Sequence, residues 1–235
     1  MAIAKVGSTV GHEIAADTNP DVIGLPAGLA QNDIILITRG SDGLAWNAMG
    51  AINTSGYSEV GGGESSAHIR VDRKFMGATP DSSVSINGGG TGSEDGTAVL
   101  IEAYRDVNLT TPIDAAAQIG TSFDRPDPPS YTTVTADTLR YIAGFHDDDL
   151  YTPSAPTGGW GNLQSQQVGA TNAGGTLMLA TLAAPTAGTL DPGIFGGAVT
   201  DQCVAIHFAL RLASGGVSIP IFARHYRQMA GKRII

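Results

Sequence analysis

Apolar residues alternate with smaller or polar ones along the stretch VAIHFALR, residues 204–211. The even-numbered residues are large and apolar, and the odd-numbered ones are alanines, a histidine and an arginine. The stretch HIRVDRKF, residues 68–75, follows a related pattern. Because successive side chains of a strand point to opposite sides, strict alternation is typical of a half-buried antiparallel strand. Both stretches are therefore predicted as strands that bury one face.

Further strand candidates surround these two stretches. The stronger candidates are residues 33–39, 97–104, 139–146 and 177–183, and the weaker ones are 5–10, 22–25, 83–87 and 217–222. Clusters of Gly, Pro, Asp and Asn separate them, at residues 40–43, 61–63, 87–90 and 124–129. The best helical candidate is the short segment 112–118. Many short strands between turn clusters predict an all-β, antiparallel β-sandwich, jelly-roll-like and with little helix.

The chain divides into a sandwich domain, residues 25–222, between an N-terminal strand or arm, 1–24, and a basic C-terminal arm, 223–235. Residues 33–40 resemble residues 137–144, and residues 98–105 resemble 204–211, about 105 residues later. Two related halves would explain this, but strands of one sandwich also look alike because they share the alternation, and we favour the second interpretation. The predicted core comprises Ile35, Ile37, Val71, Leu100, Ile206, Phe208 and Leu210.

Charge is scarce and unevenly distributed. Only 15% of the 235 residues are charged, and the net charge of −9 argues against a general nucleic-acid binder. The last twelve residues carry +4, which leaves −13 on the rest; the basic residues are Arg224, Arg227, Lys232 and Arg233. They predict an assembly contact, an arm that clamps an acidic neighbouring subunit. Weak contact with packaged DNA and a frayed tail are the alternatives.

Few residues suggest chemistry. The single cysteine, Cys203, excludes a disulfide framework and is predicted to be an inert core residue. His207 is predicted to be structural. Carboxylates at Asp147, Asp148 and Asp149 would suit Ca²⁺, but the spacing of a calcium loop is missing, so a solvated turn is favoured over a metal site.

Catalytic motifs are missing from the sequence. It has no phosphate-binding loop, no Gly-x-Ser-x-Gly elbow and no zinc-protease histidine pair. We therefore expect neither an enzyme nor a cofactor, and a glycan-degrading enzyme is the least favoured of three function classes. No apolar run approaches the 18 residues of a membrane-spanning helix, so no membrane contact is expected.

Five short motifs follow one another along the chain: LPAGLAQNDIIL (25–36), YRDV (104–107), TPID (111–114), PTGGW (156–160) and ALR (209–211). They resemble the motifs of a family of bacteriophage and prophage virion proteins, and the resemblance covers about residues 25–212. Asn32 stands where the family usually has glycine, and Trp46 lacks the preceding Pro-x-Gly. The resemblance implies a β-sandwich component of a virus particle, made in the cytoplasm of a bacterial host.

The resemblance leaves two functions open. The favoured one is a capsid decoration or cementing protein, expected to be a homotrimer whose subunits contact one another and other virion proteins such as the major capsid protein. The alternative is a tail or baseplate module that binds a host surface glycan through Tyr151, Trp160 and the 147–149 loop, because aromatic rings stack on sugars. For Trp160 by itself we favour a different interpretation, in which its ring plugs one end of the sandwich.

Overall fold

A computed structural model describes residues 2–15, 18, 20–42, 49, 51–65, 67–87, 96–147, 152–169, 174–197 and 201–213. These residues contain fourteen strands and no helix. The first seven strands are β1 (Ala4–Ile14), β2 (Asp21–Gly24), β3 (Ile34–Asp42), β4 (Ser58–Glu64), β5 (Ala67–Phe75), β6 (Ser83–Ile86) and β7 (Thr97–Arg105). The second seven are β8 (Gln118–Ser122), β9 (Tyr131–Thr133), β10 (Thr138–His146), β11 (Gly161–Val168), β12 (Gly175–Ala184), β13 (Gly188–Leu190) and β14 (Cys203–Leu210).

Two five-stranded antiparallel sheets form the body of the fold. The first sheet has the order β1-β7-β3-β5-β4, and the second has the order β8-β14-β10-β12-β11. Two small sheets, β2-β6 and β9-β13, accompany them. The predicted all-β antiparallel sandwich is confirmed. The jelly-roll connection is not confirmed, because each large sheet is built from one half of the chain.

The two halves of the chain repeat one topology. Adding seven to each strand number of the first sheet gives the order of the second, and β2-β6 becomes β9-β13 in the same way. Contacts between the sheets are also symmetric. Strand β1 lies against β11, and their equivalents in the other half, β8 and β4, lie against each other. Strand order is independent of alternation, so its repetition favours two related halves over the interpretation based on look-alike strands.

Three apolar clusters fill the fold. One lies between the two large sheets and contains Leu36, Leu100, Tyr141 and Phe208. A second lies between the first sheet and the β2-β6 pair, and a third covers the other face of the second sheet. Both faces of the central strands are therefore covered, and β14 is buried along its whole length. The prediction of a half-buried strand at 204–211 is wrong. Alternation indicated one buried face, but further segments of the chain also cover the outer face of the second sheet.

All seven predicted core residues are buried. Five of them lie between the large sheets, whereas Ile35 and Ile37 face the β2-β6 pair. The strands predicted near 5–10, 22–25, 83–87, 33–39, 97–104, 139–146 and 177–183 are present as β1, β2, β6, β3, β7, β10 and β12. The candidate strand at 217–222 lies outside the described residues.

Two local predictions differ from the structure. The segment 112–118 is not helical; Ile113 forms an isolated bridge with Leu210, and Gln118 begins β8. The glycines at 61–63, predicted as a turn, lie inside β4. A Cβ atom on Gly63 would come within 2.2 Å of Ile119 Cγ2, so the missing side chain is what lets β4 approach β8.

Candidate functional site

Four of the five motifs that carry the resemblance meet at one end of the sandwich, whereas the fifth, residues 156–160, packs through Trp160 over the outer face of the second sheet. We call this end the motif end and define it by Gly28, Asp33, Arg105, Asp114 and Arg211. The guanidinium of Arg105 donates two hydrogen bonds to Asp33, at 2.8 and 2.7 Å, and a third to the carbonyl of Gly28 at 3.2 Å. These bonds join the end of β7 to the turn before β3. The arginine of YRDV is therefore a structural clasp on the LPAG turn.

The backbone of this turn explains one departure from the family pattern. Asn32 has φ 72°, in the left-handed region that glycine adopts most readily and asparagine tolerates. The N–H of Ala30 donates to Asp33 Oδ2 at 2.7 Å, which closes the turn. Asparagine therefore fits the position where the family usually has glycine.

A second clasp holds the other half of the motif end. The buried carboxylate of Asp114 accepts hydrogen bonds from the Val134 and Thr135 amides, from the Thr135 hydroxyl and from Arg211. Burial by itself would raise the pKa of Asp114, but these hydrogen bonds outweigh it and lower the pKa. Asp114 therefore remains ionised in a structural role.

Asp106 and Asp114 flank a short loop, and acidic side chains commonly accept hydrogen bonds from nearby backbone N–H groups. Asp114 does bind backbone N–H groups, but they belong to residues 134 and 135, not to the loop between Asp106 and Asp114. Asp106 adopts φ 64°, and its carbonyl accepts a hydrogen bond from the Ala213 amide at 2.7 Å. Its contact is therefore made by the main chain.

A buried carboxylate connects the two sheets. Glu102 accepts hydrogen bonds from Lys5 Nζ at 2.7 Å, Thr9 Oγ1 at 2.8 Å, Asn162 Nδ2 at 2.9 Å and the Tyr104 hydroxyl. Asn162 belongs to the second half of the chain and the other residues to the first. With four donors around it, Glu102 acts as a link between the halves.

His207 lies buried on the outer face of the second sheet. Its ring lies 4.9 Å from that of Tyr131 and 5.8 Å from that of Trp160, between centroids. Nδ1 donates to the Pro129 carbonyl at 2.9 Å, because a carbonyl oxygen can only accept. Burial, together with the nearby charge of Arg140, outweighs the raising effect of the hydrogen bond to Pro129 and lowers the pKa of His207 to about 4. Neutral His207 therefore holds the 129–131 segment in place, which supports the predicted structural role.

We expect His207 to make the fold sensitive to acid. The pKa of about 4 in the folded chain lies below the ordinary value of 6.5, so the unfolded chain takes up the proton first as the pH falls. The contribution of neutral His207 to the free energy of unfolding is present above about pH 6.5. It falls as the pH drops and is lost by about pH 4, so that the free energy of unfolding changes by about 2–3 kcal/mol. Denaturant unfolding of wild type and His207→Asn at pH 7 and pH 4.5 measures it. Equal pH dependence in the two proteins would contradict this assignment.

Cys203 and Trp160 are both buried. Burial raises the pKa of the Cys203 thiol to about 12, which keeps it protonated and unreactive, in agreement with the core interpretation. Trp160 is 8% exposed and packs with Ile142, Met178 and Phe195. Its ring fills the layer over the second sheet, which favours the plug interpretation over a glycan platform. Tyr151, the other predicted glycan contact, lies outside the described residues.

The acidic loop is described only in part. Asp147 is buried, and its N–H donates to the Gln202 carbonyl at 3.0 Å; Asp148 and Asp149 lie outside the described residues. Within the part that is described, no three His, Cys, Asp or Glu residues are grouped as metal ligands would be. The basic residues at 224, 227, 232 and 233 also lie outside it.

A shallow apolar groove of about 260 Å³ opens beside the motif end. Residues 2–3, 137–139 and 183–185 line it. The repeated topology explains the groove: Ile34 pairs with Phe75 in the first half, and its counterpart Thr138 pairs with Ala184. A methyl group at the end of β12 replaces the large ring at the end of β5, which leaves apolar surface uncovered.

No family model, curated protein or solved structure matched this chain. Among the residues that the structure describes, no helix has the length and apolar character needed to cross a membrane.

Proposed function

We propose that this chain is a structural protein of a bacteriophage particle, which decorates or cements the capsid through surface contact. The observation that carries the proposal is the placement of the family-like motifs. Arg105 with Asp33 and Arg211 with Asp114 clasp turns and strand ends at the motif end. Motifs that serve the rigidity of the fold suit a component that acts by its shape and surface.

Surface chemistry supports a role in contact. Large apolar side chains are exposed at separate places, with Val22 64%, Leu109 53%, Phe123 78% and Val134 62% exposed. The apolar groove adds a concave surface beside the motif end. Burial of such surface drives stable association, for which about 1,000 Å² or more is needed. We propose that these surfaces meet other copies, as a trimer, and the major capsid protein, with the basic arm as an ionic clamp.

Electron microscopy tests the proposal by comparing particles of the wild-type phage with particles of a phage from which the gene is deleted. We expect capsids from the deletion to lose surface projections while their tails remain intact. A deletion that removes a tail appendage and leaves the capsid unchanged would contradict the capsid role and support the tail alternative. Purified wild-type chain should bind again to the deficient capsids. A chain with glutamine at positions 224, 227, 232 and 233 should bind less tightly at low salt and lose most of the salt dependence.

A further inference from the structure

Three of the four outer strands of the large sheets are interrupted. The register of pairing shifts in β1 between Val6 and Val10, in β4 between Glu59 and Gly61, and in β11 between Gly161 and Gln164. The fourth outer strand, β8, pairs with β14 in one continuous register. Bulges and inserted residues protect a sheet edge from pairing with another chain. The edge of β8 lacks this protection.

Strand β8 differs in its charged residues from the equivalent strand of the other half. Its topological equivalent is β1, which carries Lys5, His12 and Glu13 in addition to the register shift. In β8, with the sequence QIGTS, no residue is charged. Charged side chains are another means by which edge strands avoid pairing. Among the strands that the structure describes, the same position in the repeated topology is thus protected in one half and open in the other.

Exposed apolar side chains accompany this open edge. Phe123, directly after β8, is 78% exposed, the highest value among the exposed large apolar side chains that the structure describes. Ile119, within β8, is 37% exposed, and Thr121 between them is also exposed. In an extended chain these three alternate residues share one side. They form an apolar and uncharged row along the edge.

We propose that β8 pairs antiparallel with β8 of a second copy of this chain, in the register that places Thr121 opposite Thr121. This register also places Ile119 of each copy opposite Phe123 of the other, so that apolar residues meet across the pair. A second copy fits this edge because an uncharged strand meets its own copy without like-charge repulsion. Main-chain hydrogen bonds would then join the two second sheets across a two-fold axis. The contact goes beyond the proposed function, which does not require it.

Charge reversal at Thr121 tests the pairing. Thr121→Lys and Thr121→Glu each place like charges opposite each other in the proposed pair, so each should weaken self-association by about tenfold or more. An equimolar mixture of the two variants should associate again, because the opposite charges then face each other. Sedimentation velocity over a range of concentrations measures association of the full chain. Phe123→Ser should also weaken it.

The matched control uses an exposed position on the edge of the equivalent strand. Ser8→Lys puts the same charge on the edge of β1 and should leave association unchanged. The pairing is overturned if the wild type remains monomeric, if Thr121→Lys has no effect, or if mixing fails to restore association. Deletion of 214–235 that alone abolishes association would assign the contact to the arm and also overturn it. A monomer that still binds capsids would overturn the pairing and the proposed trimer but leave the proposed capsid role intact.

Discussion

Replacement of Asp72 with alanine is expected to lower the free energy of unfolding by about 3–5 kcal/mol. Asp72 accepts a hydrogen bond from Arg39 at 2.7 Å, and both side chains are almost fully buried, with 4% and 1% exposed. Burial lowers the pKa of Arg39, and the charge of Asp72 opposes this effect. Without Asp72, the buried guanidinium of Arg39 loses its hydrogen-bonded opposing charge, and this loss is the source of the large effect.

The control is the same substitution in a pair that is only partly buried. Asp81 binds Lys74 with side chains 30% and 17% exposed, so Asp81→Ala should cost only about 0–1 kcal/mol. The double variant Arg39→Met/Asp72→Ala removes both charges and should be more stable than Asp72→Ala alone. Urea unfolding of the four proteins measures these differences. Equal losses for Asp72→Ala and Asp81→Ala would show that burial of the pair does not set its energy.

Replacement of Phe208 with alanine is expected to cost about 3–5 kcal/mol. Phe208 is fully buried between the large sheets, and its ring stacks on that of Tyr141 with 4.8 Å between centroids. The Tyr141 hydroxyl is hydrogen-bonded to Thr38 of the opposite sheet at 2.7 Å, which restrains its ring. Because the neighbours cannot collapse freely, most of the volume of the lost ring should remain as a cavity.

Phe123→Ala is the matched control for this loss. It removes the same ring from a position that is 78% exposed, so the free energy of unfolding should change by less than about 0.5 kcal/mol. Measurements at low protein concentration keep self-association out of the comparison. A Phe208→Ala variant as stable as Phe123→Ala would mean that the ring does not lie in the core between the sheets.

The strands that the sequence predicted most clearly are those with apolar alternation or apolar runs, such as β3, β7 and β14. Alternation is a property of neighbouring residues, so it can be read without knowing the partner strand. The strands β4, β8 and β11 were missed because their residues are glycines, short polar residues and glutamines. Their extended form depends on the strand beside them, which local patterns do not reveal.

The candidate site was predicted only in part. The inert character of Cys203 and the structural role of His207 follow from their positions within an apolar strand. The hydrogen-bond partner of His207 could not be predicted, because the Pro129 carbonyl that accepts its hydrogen bond lies 78 residues away in the sequence. The open edge of β8 had one signal, the alternation of Ile119, Thr121 and Phe123. A neighbouring alanine run and the short helical candidate at 112–118 obscured it.

The sequence by itself determined the all-β class, the seven core positions and the low charge of the surface, because side-chain polarity and its period of two are local properties. Only the tertiary structure decided that the strand order repeats, that a second layer covers β14, and that three edges carry register shifts while β8 does not. Arg211 binds Asp114, 97 residues away, and Lys5 binds Asn162, 157 residues away. Such contacts depend on the way in which the long loops between the two residues close. When long loops close, they bring together residues that are far apart in the chain, and the sequence around one residue does not indicate its distant partner.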